Sequence, residues 1–296
     1  MSDIIEPGFY ADVPDPTYRA WPYPSQSLVS LFRDDSLCEM DVKHYLETGK
    51  EQSEAMRFGD MVEAAVDGRE VAPEVQQLPA GIKRRSGATW VVLRDENPGI
   101  TYLPPSEYKK HGDAKAKAIE VAAAVKADKY AMSLVRGEKQ VSFVWDATFT
   151  NAGGLKVVHR VKGRLDYLDI ERGIIADLKT TSYGGPRRLG YWARDHAWDI
   201  QAAMYTDAMA SLLGKPMKFY FVVVRTSKPY PVSIYNGHNS TEMAGYLLGE
   251  GRFDYQQYLE QLAECKRTGV WRSYRHPSNV DEPILGLQWP QRPLTF

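Results

Sequence analysis

Between Val141 and Thr180 three consecutive runs read as strands, and the first of them shows a twofold period. Val141, Phe143 and Trp145 alternate with Ser142 and Val144, Val157 to Leu168 forms a second run, and Ile174 to Thr180 a third. Alternation at every second residue is what a strand with one face in a core requires. Asn151-Ala-Gly-Gly and Glu171-Arg-Gly separate the runs and are short enough to be turns, so the three predict an antiparallel meander. A sheet of that kind must be covered, and the rest of the chain supplies the cover.

Upstream, Leu28, Leu31 and Phe32 follow a helix expected from Ser25, Ser53 to Val66 is a second periodic stretch, and an alanine-rich helix is expected over about Asp113 to Met132. Downstream, a helix is expected over about Leu189 to Leu213, stopped by Gly214 and Pro216. Strands are expected at Phe219 to Arg225 and Val232 to Tyr235, and a last helical region at Ser240 to Arg267, disturbed at Gly249 and Gly251. This order predicts a single α/β core: an extended lead-in over 1–24, one domain over 25–275, and an irregular tail over 276–296. Within the domain, 25–135 reads as an N-terminal helical lobe and 136–275 as the core.

Lys and Arg total 37 against 38 Asp and Glu, so a basic protein that coats nucleic acid is excluded, though a local basic channel is not. Two cysteines, Cys38 and Cys265, exclude a disulfide framework and a four-cysteine zinc or iron–sulfur site built by one chain. The start lacks a basic run followed by an apolar one, and Phe219 to Val224 is too short to span a bilayer. The expectation is a soluble, cytoplasmic protein with no membrane partner.

The chemistry concentrates in the meander. Asp177 and Lys179 share one face of the third strand with Ile175, while Ile174, Ala176 and Leu178 take the other. Charges on a strand this apolar call for a partner or a metal. The hairpin at 169–173 can return Asp166 to the side of Asp177, and a divalent cation relieves the repulsion of two close carboxylates. Oxygen donors favour Mg²⁺ or Mn²⁺. Lys179 could then orient water and offset charge developing at phosphorus. The alternative is a surface ion pair between Asp177 and Lys179. Gln201 and Tyr205 fall on one face of the following helix; a core tyrosine beside a solvated glutamine is the plainer reading.

Gly163-Arg-Leu-Asp166, Ile175-Ala-Asp177-Leu-Lys179-Thr-Thr and Gln201-x-x-x-Tyr205 together resemble the PD-(D/E)XK nuclease superfamily. Within it the chain is most similar to the exonuclease VIII (RecE) branch of phage and prophage recombination exonucleases. Phe58-Gly-Asp-Met-Val-Glu-Ala-Ala-Val, Lys83-Arg-Arg, Phe219-Tyr-Phe-Val-Val-Val and Leu262-Ala-Glu-Cys extend the resemblance over about residues 20 to 275. It implies a restriction-endonuclease-like core: a central mixed sheet flanked by helices, with an N-terminal helical lobe. It implies a Mg²⁺-dependent exonuclease degrading double-stranded DNA ends 5′ to 3′, in a bacterial host and phage- or prophage-encoded. A single-strand annealing protein and a homo-oligomeric ring are the partners it implies. By motif position Asp166 and Asp177 would be metal ligands with the Leu178 carbonyl, Lys179 the catalytic lysine, and Gln201 and Tyr205 supports on the rim of the cleft. The family usually has a metal-binding histidine where this chain has Glu63, and Glu63 is read as a ligand in its place. Where the first strand often carries a glutamate, the chain has Gln140, with Glu138 two residues earlier.

Arg187 and Arg188, opening the helix after the third strand, and Lys83, Arg84 and Arg85 are candidate DNA contacts. Lys109, Lys110, Lys115 and Lys117 form a third basic patch. Trp145, Trp192, Trp198, His159 and His196 read as structural. Two alternatives stand beside the exonuclease: a structure- or site-specific endonuclease on the same core, and a non-catalytic DNA-binding subunit, which the changes at Glu63 and Gln140 motivate.

Overall fold

A computed structural model describes residues 4–34, 36–49, 52–72, 75–82, 87–97, 100–237 and 242–273 of the 296-residue chain. The meander predicted from three runs joined by short turns forms the sheet's centre. Its strands run longer than the apolar pattern alone indicates, because charged ends continue the ladder.

In chain order the elements begin with β1 (Gly8–Tyr10), α1 (Asp15–Ala20), α2 (Gln26–Val29) followed by a 3-10 turn at Ser30–Arg33, α3 (Glu39–Thr48) and α4 (Glu54–Asp67). Next come β2 (Val75–Gln77), α5 (Ala88–Glu96), β3 (Thr101–Leu103), α6 (Pro105–Ala127) and α7 (Lys129–Leu134). The core strands β4 (Glu138–Thr150), β5 (Lys156–Asp169) and β6 (Ile174–Thr181) follow. After them come α8 (Pro186–Asp195), α9 (Trp198–Leu213), β7 (Lys218–Arg225), β8 (Val232–Asn236) and α10 (Glu242–Thr268).

The main sheet has the order β1-β4-β5-β6-β7-β8. β4, β5 and β6 pair antiparallel, β7 lies parallel to β6, and β8 returns antiparallel to β7. The parallel pair needs a crossover, and α8 with α9 supplies it. A short parallel pair, β2 with β3, stands apart.

Each face of the sheet has its own apolar layer. Phe143, Trp145, Leu165, Ile175, Phe219 and Phe221 pack with α9 and α10. Tyr167, Ile174, Ala176, Val222 and Val224 pack with α4, α6 and α7. Each large side chain fully buried here contributes about 1.5–3 kcal/mol. α4, α6 and α7 thus cover one face of the sheet directly, while α2 packs with α9 and α10, its Val29 buried in the other layer. The fold is a mixed α/β sandwich with the sheet in the middle, as the resemblance implied.

Four expectations change in detail. The lead-in is not wholly extended, since β1 pairs with β4 and α1 forms a short helix. Lys162 explains why that helix holds: its ammonium donates to the carbonyls of Tyr18, Arg19 and Trp21 at 2.9, 2.9 and 2.8 Å, closing the C-terminal end of α1. The alanine-rich helix starts earlier, at Pro105, and stops at Asp128, whose carboxylate caps α7 through the N–H groups of Tyr130 and Ala131. The helix expected over 189–213 is two helices, broken at His196–Ala197, where Ala197 takes φ 54°. The last helix is unbroken through Gly249 and Gly251. A Cβ on Gly251 would lie 2.1 Å from the carbonyl oxygen of Asp199, so the glycine allows α10 to cross α9 at backbone contact. The tail from residue 274 lies outside the described residues.

Candidate active site

The site forms where β5 and β6 part. Their pairing runs through Asp169↔Ile174 and Leu168↔Ile175 and ends at Tyr167↔Ala176. One more step would set Asp166 opposite Asp177. Instead the Asp166 carboxylate enters the gap and accepts from the backbone N–H of Leu178 at 3.0 Å. β4 bends at the same level: Gln140 takes φ 50° and is skipped in the otherwise continuous β4–β5 register. A distortion of this kind turns a side chain out of the pleat.

Asp177 is buried, at 3% exposure. Its Oδ1 accepts from Gln201 Nε2 at 2.6 Å, and its Oδ2 lies 2.6 Å from the Lys179 ammonium. That ammonium is close but off the line of a hydrogen bond, and Oδ2 has no hydrogen-bond partner. Lys179 also sits 5.9 Å from the ring centre of Trp198. Burial works against the lysine's charge, but the charges of Asp177 and Asp166 outweigh it and hold its pKa above the ordinary value. The Asp166 carboxyl is pushed well above the carboxylate range by burial first, then by the charges of Asp177 and Glu63.

Glu63 comes from α4, whose start is capped by the Ser53 side chain and whose end is a left-handed Gly68. It accepts from Gln140 and lies 3.4 Å from the Arg69 guanidinium. Burial pushes its carboxyl up to about 7; Arg69 and Gln140 oppose the rise, and Asp67 and Asp60 add to it. Gln140, set aside in the sequence as a departure, is therefore a partner of Glu63. Tyr205 is not on a rim. It is 7% exposed and meets Phe143 edge-on at 5.5 Å between ring centres. Burial raises its phenol well above the usual value, with Tyr18, Asp177 and Asp166 adding, against a hydrogen bond to the Arg164 backbone. Gln201 is buried as well, at 8%.

Asp166 thus feels the charges of both Asp177 and Glu63, and the one ammonium among them is that of Lys179. The three carboxylates are hard oxygen donors in excess of the cations that face them, and one of their oxygens lacks a hydrogen bond. In kind and in charge they fit a divalent cation. They do not form a ready cage: among the described residues no three His, Cys, Asp or Glu side chains stand close enough together to hold a metal ion.

Beside the site runs a groove of about 1100 Å³. Its walls come from the N-terminal halves of α4 and α6, from Val75, Thr101 and Leu103, and from the segment Thr180–Tyr183 that follows Lys179. Arg57, Lys110 and Lys117 contribute basic groups to it, and Asp60, Glu54 and Glu107 acidic ones. Lys110 is paired with Glu54 at 2.9 Å and Lys117 lies over the Phe58 ring, so two members of the third basic patch have local partners. Arg187 and Arg188 are exposed at the start of α8. Lys83, Arg84 and Arg85 lie outside the described residues. His159 is held by Glu260 at 2.5 Å, a structural contact between β5 and α10.

Sequence reasoning missed Arg33 and the groove's aromatic wall. Arg33 reaches Asp199 with both terminal nitrogens, at 2.5 and 2.7 Å, and also pairs with Asp254. No local pattern announces a bridge of that sequence separation. The wall had a visible signal, since Trp192 and His196 are four residues apart.

A parting pair of strands, a buried Asp-x-Lys and a helix-borne glutamine beneath it define a domain with the fold of PD-(D/E)XK nucleases. The comparisons agree. The chain belongs to the family described as PDDEXK-like domain of unknown function (DUF3799), whose model matches residues 25–276. It is similar to a solved structure from Eubacterium rectale titled "Putative exonuclease", at 17% identity and a TM-score of 0.59, covering 95% of this chain and 97% of that one. A second solved structure, SSO0001, matches at 15% identity and a TM-score of 0.28, covering 68% of this chain and 84% of that one. No curated protein matches the chain.

Proposed function

We propose that the chain is a divalent-metal-dependent deoxyribonuclease that degrades double-stranded DNA from its ends, 5′ to 3′, exposing single strands for recombination by annealing. The supporting observation is the convergence of Asp166, Asp177 and Lys179 at the point where β5 and β6 separate. Asp166 and Asp177, with Glu63 and the Leu178 carbonyl, would hold Mg²⁺ or Mn²⁺. That ion would polarise a phosphodiester oxygen and acidify a water.

The chain's own groups supply the rest. Gln201 fixes the rotamer of Asp177 through a buried hydrogen bond. Lys179, kept charged by its acidic neighbours, offsets negative charge developing on the phosphate. Arg187 and Arg188 would hold backbone phosphates. Tyr205 acts on the site only through packing, beneath the strand that carries Asp166. A cytoplasmic setting in a phage- or prophage-bearing bacterium, an annealing-protein partner and a ring-shaped homo-oligomer belong to the same proposal and rest on the resemblance alone.

The test is digestion of linear and circular duplex DNA with Mg²⁺ and with EDTA, beside Asp177→Ala. Loss of the linear substrate only, abolished by EDTA and by the substitution, is the expected result. Cutting of the circle would make the protein an endonuclease. One observation favours a second reading: Glu63 is engaged with Gln140 and Arg69 rather than turned toward Asp177. A folded protein that binds DNA but cuts neither form would establish that non-catalytic reading.

A further inference from the structure

α8 presents three different faces. Leu189 and Ala193 turn to the core, where Leu189 is buried. Arg187, Tyr191 and Arg194 follow one another at helical spacing on the outer side, and all three are exposed. Arg188, Trp192 and His196 form the third face, and Trp192 and His196 line the groove. Arg187, Arg188 and Arg194 make no side-chain hydrogen bond or ion pair among the described residues. Arg33, Arg69, Arg136, Arg160, Arg164 and Arg252 each pair with a carboxylate. Uncommitted guanidinium groups gathered on one short helix are suited to an anionic ligand.

The third face is aromatic. Trp192 and His196 stack with ring centres 4.1 Å apart at 30°, and Tyr183, 43% exposed, lies 6.0 Å from Trp192 across the groove wall. Trp192 meets Trp198 edge-on at 5.3 Å, and the Trp198 ring is the one beneath the Lys179 ammonium. The aromatic wall is therefore one ring removed from the lysine. Flat π-surfaces with an unpaired arginine, Arg188, on the same helical face match an unpaired nucleic-acid strand, whose bases stack while its phosphates take the cations. Duplex DNA hides its base faces and would leave the aromatic wall unused.

We propose that Tyr183, Trp192 and His196 form a nucleobase-stacking platform that holds unpaired nucleotides beside the site, with Arg188 on their phosphates. This deepens the nuclease reading and rests on it for the identity of the strand. It assigns the site a locally single-stranded substrate, splayed from the duplex before reaching Lys179.

The experiment compares equilibrium binding, in EDTA, of a single-stranded thymidine oligonucleotide and an abasic oligonucleotide of equal length. Stacking is worth about 1–3 kcal/mol per base, so the thymidine strand should bind about 5- to 150-fold tighter. Trp192→Ala should remove most of that difference while leaving the abasic affinity unchanged. Trp192→Phe should restore it, and Arg188→Ala should weaken both strands alike. Equal affinities for the two strands in the unsubstituted protein would overturn the platform, as would parallel losses for both strands with Trp192→Ala when Trp192→Phe binds normally. Cutting of linear duplex DNA by the unsubstituted protein in Mg²⁺, measured beside the binding, separates the two readings. Base discrimination in a protein that never cuts DNA would sink the nuclease and keep the platform, whereas cutting without discrimination would do the reverse.

Discussion

Gln201 Nε2 donates to Asp177 Oδ1 at 2.6 Å, and both side chains are more than nine-tenths buried. The bond joins α9 to β6 and leaves the other carboxylate oxygen of Asp177 for Lys179. A neutral amide satisfies the carboxylate without adding charge, so the pull of Lys179 and any cation on the second oxygen is undiminished.

Gln201→Leu should therefore lower kcat by about 10- to 100-fold, the usual cost of losing a group that orients a ligand. Substrate KM should hardly move. Initial rates on linear duplex DNA, with circular dichroism to confirm folding, would check this. An unchanged kcat would show that Asp177 needs no support from α9.

Gly163 carries a packing prediction. A Cβ there would come within 2.2 Å of Phe143 Cζ and 3.0 Å of Tyr205 Cε1. Gly163→Ala should cost about 1–3 kcal/mol of stability by overpacking. Phe143→Leu in the same chain should recover part of the loss. Urea midpoints of the single and double variants read the effect, and strictly additive losses would contradict the overlap.

Arg33 ties its own turn to α9 and α10 through Asp199 and Asp254. Arg33→Met should destabilise the chain by about 3–5 kcal/mol, because two carboxylates lose their shared partner in a poorly solvated place. Adding Asp199→Asn to that variant should return stability. A double variant no more stable than the single one would mean that packing by the arginine stem carries the effect.

Asp146 supplies the pH dependence. Paired hydrogen bonds from Arg160, at 2.7 and 2.9 Å, hold its carboxyl below the ordinary 3.8, against a smaller opposing effect of burial. Its stabilisation is therefore complete above pH 3.8 and is lost as pH falls through the lowered value. Between pH 5 and pH 3 the unsubstituted protein should lose more stability than Asp146→Asn. Parallel urea titrations would reveal the difference, and identical slopes would remove it.

The meander was legible because three strand-like runs are joined by turns too short for anything but antiparallel return. The face assignments of Ile174, Ile175 and Ala176 followed from the alternation of side chains along a strand, and the return of Asp166 to the third strand from the hairpin at 169–173. The break between α8 and α9 was not legible. Ala197 is a good helix former, yet it is buried in a left-handed conformation that no local signal announces. The role of Gln140 was hidden for a related reason. Its partner Glu63 lies on α4, and no local pattern connects a bent strand to a helix that far away. The buried place of Tyr205 is set by Phe143 of β4 and Gly163 of β5, positions far from α9 in the chain.

The crossing of α10 over α9 at Gly251 bears on what the site can tolerate. The carbonyl that a Cβ at 251 would strike belongs to Asp199, two residues before Gln201. A methyl group added there would act as a lever. Its displacement would pass along α9 to the amide that steadies Asp177. A position that touches no substrate therefore sets the mutational latitude of the chemistry, and drift in the last helix is constrained by an aspartate in the sixth strand of the main chain order.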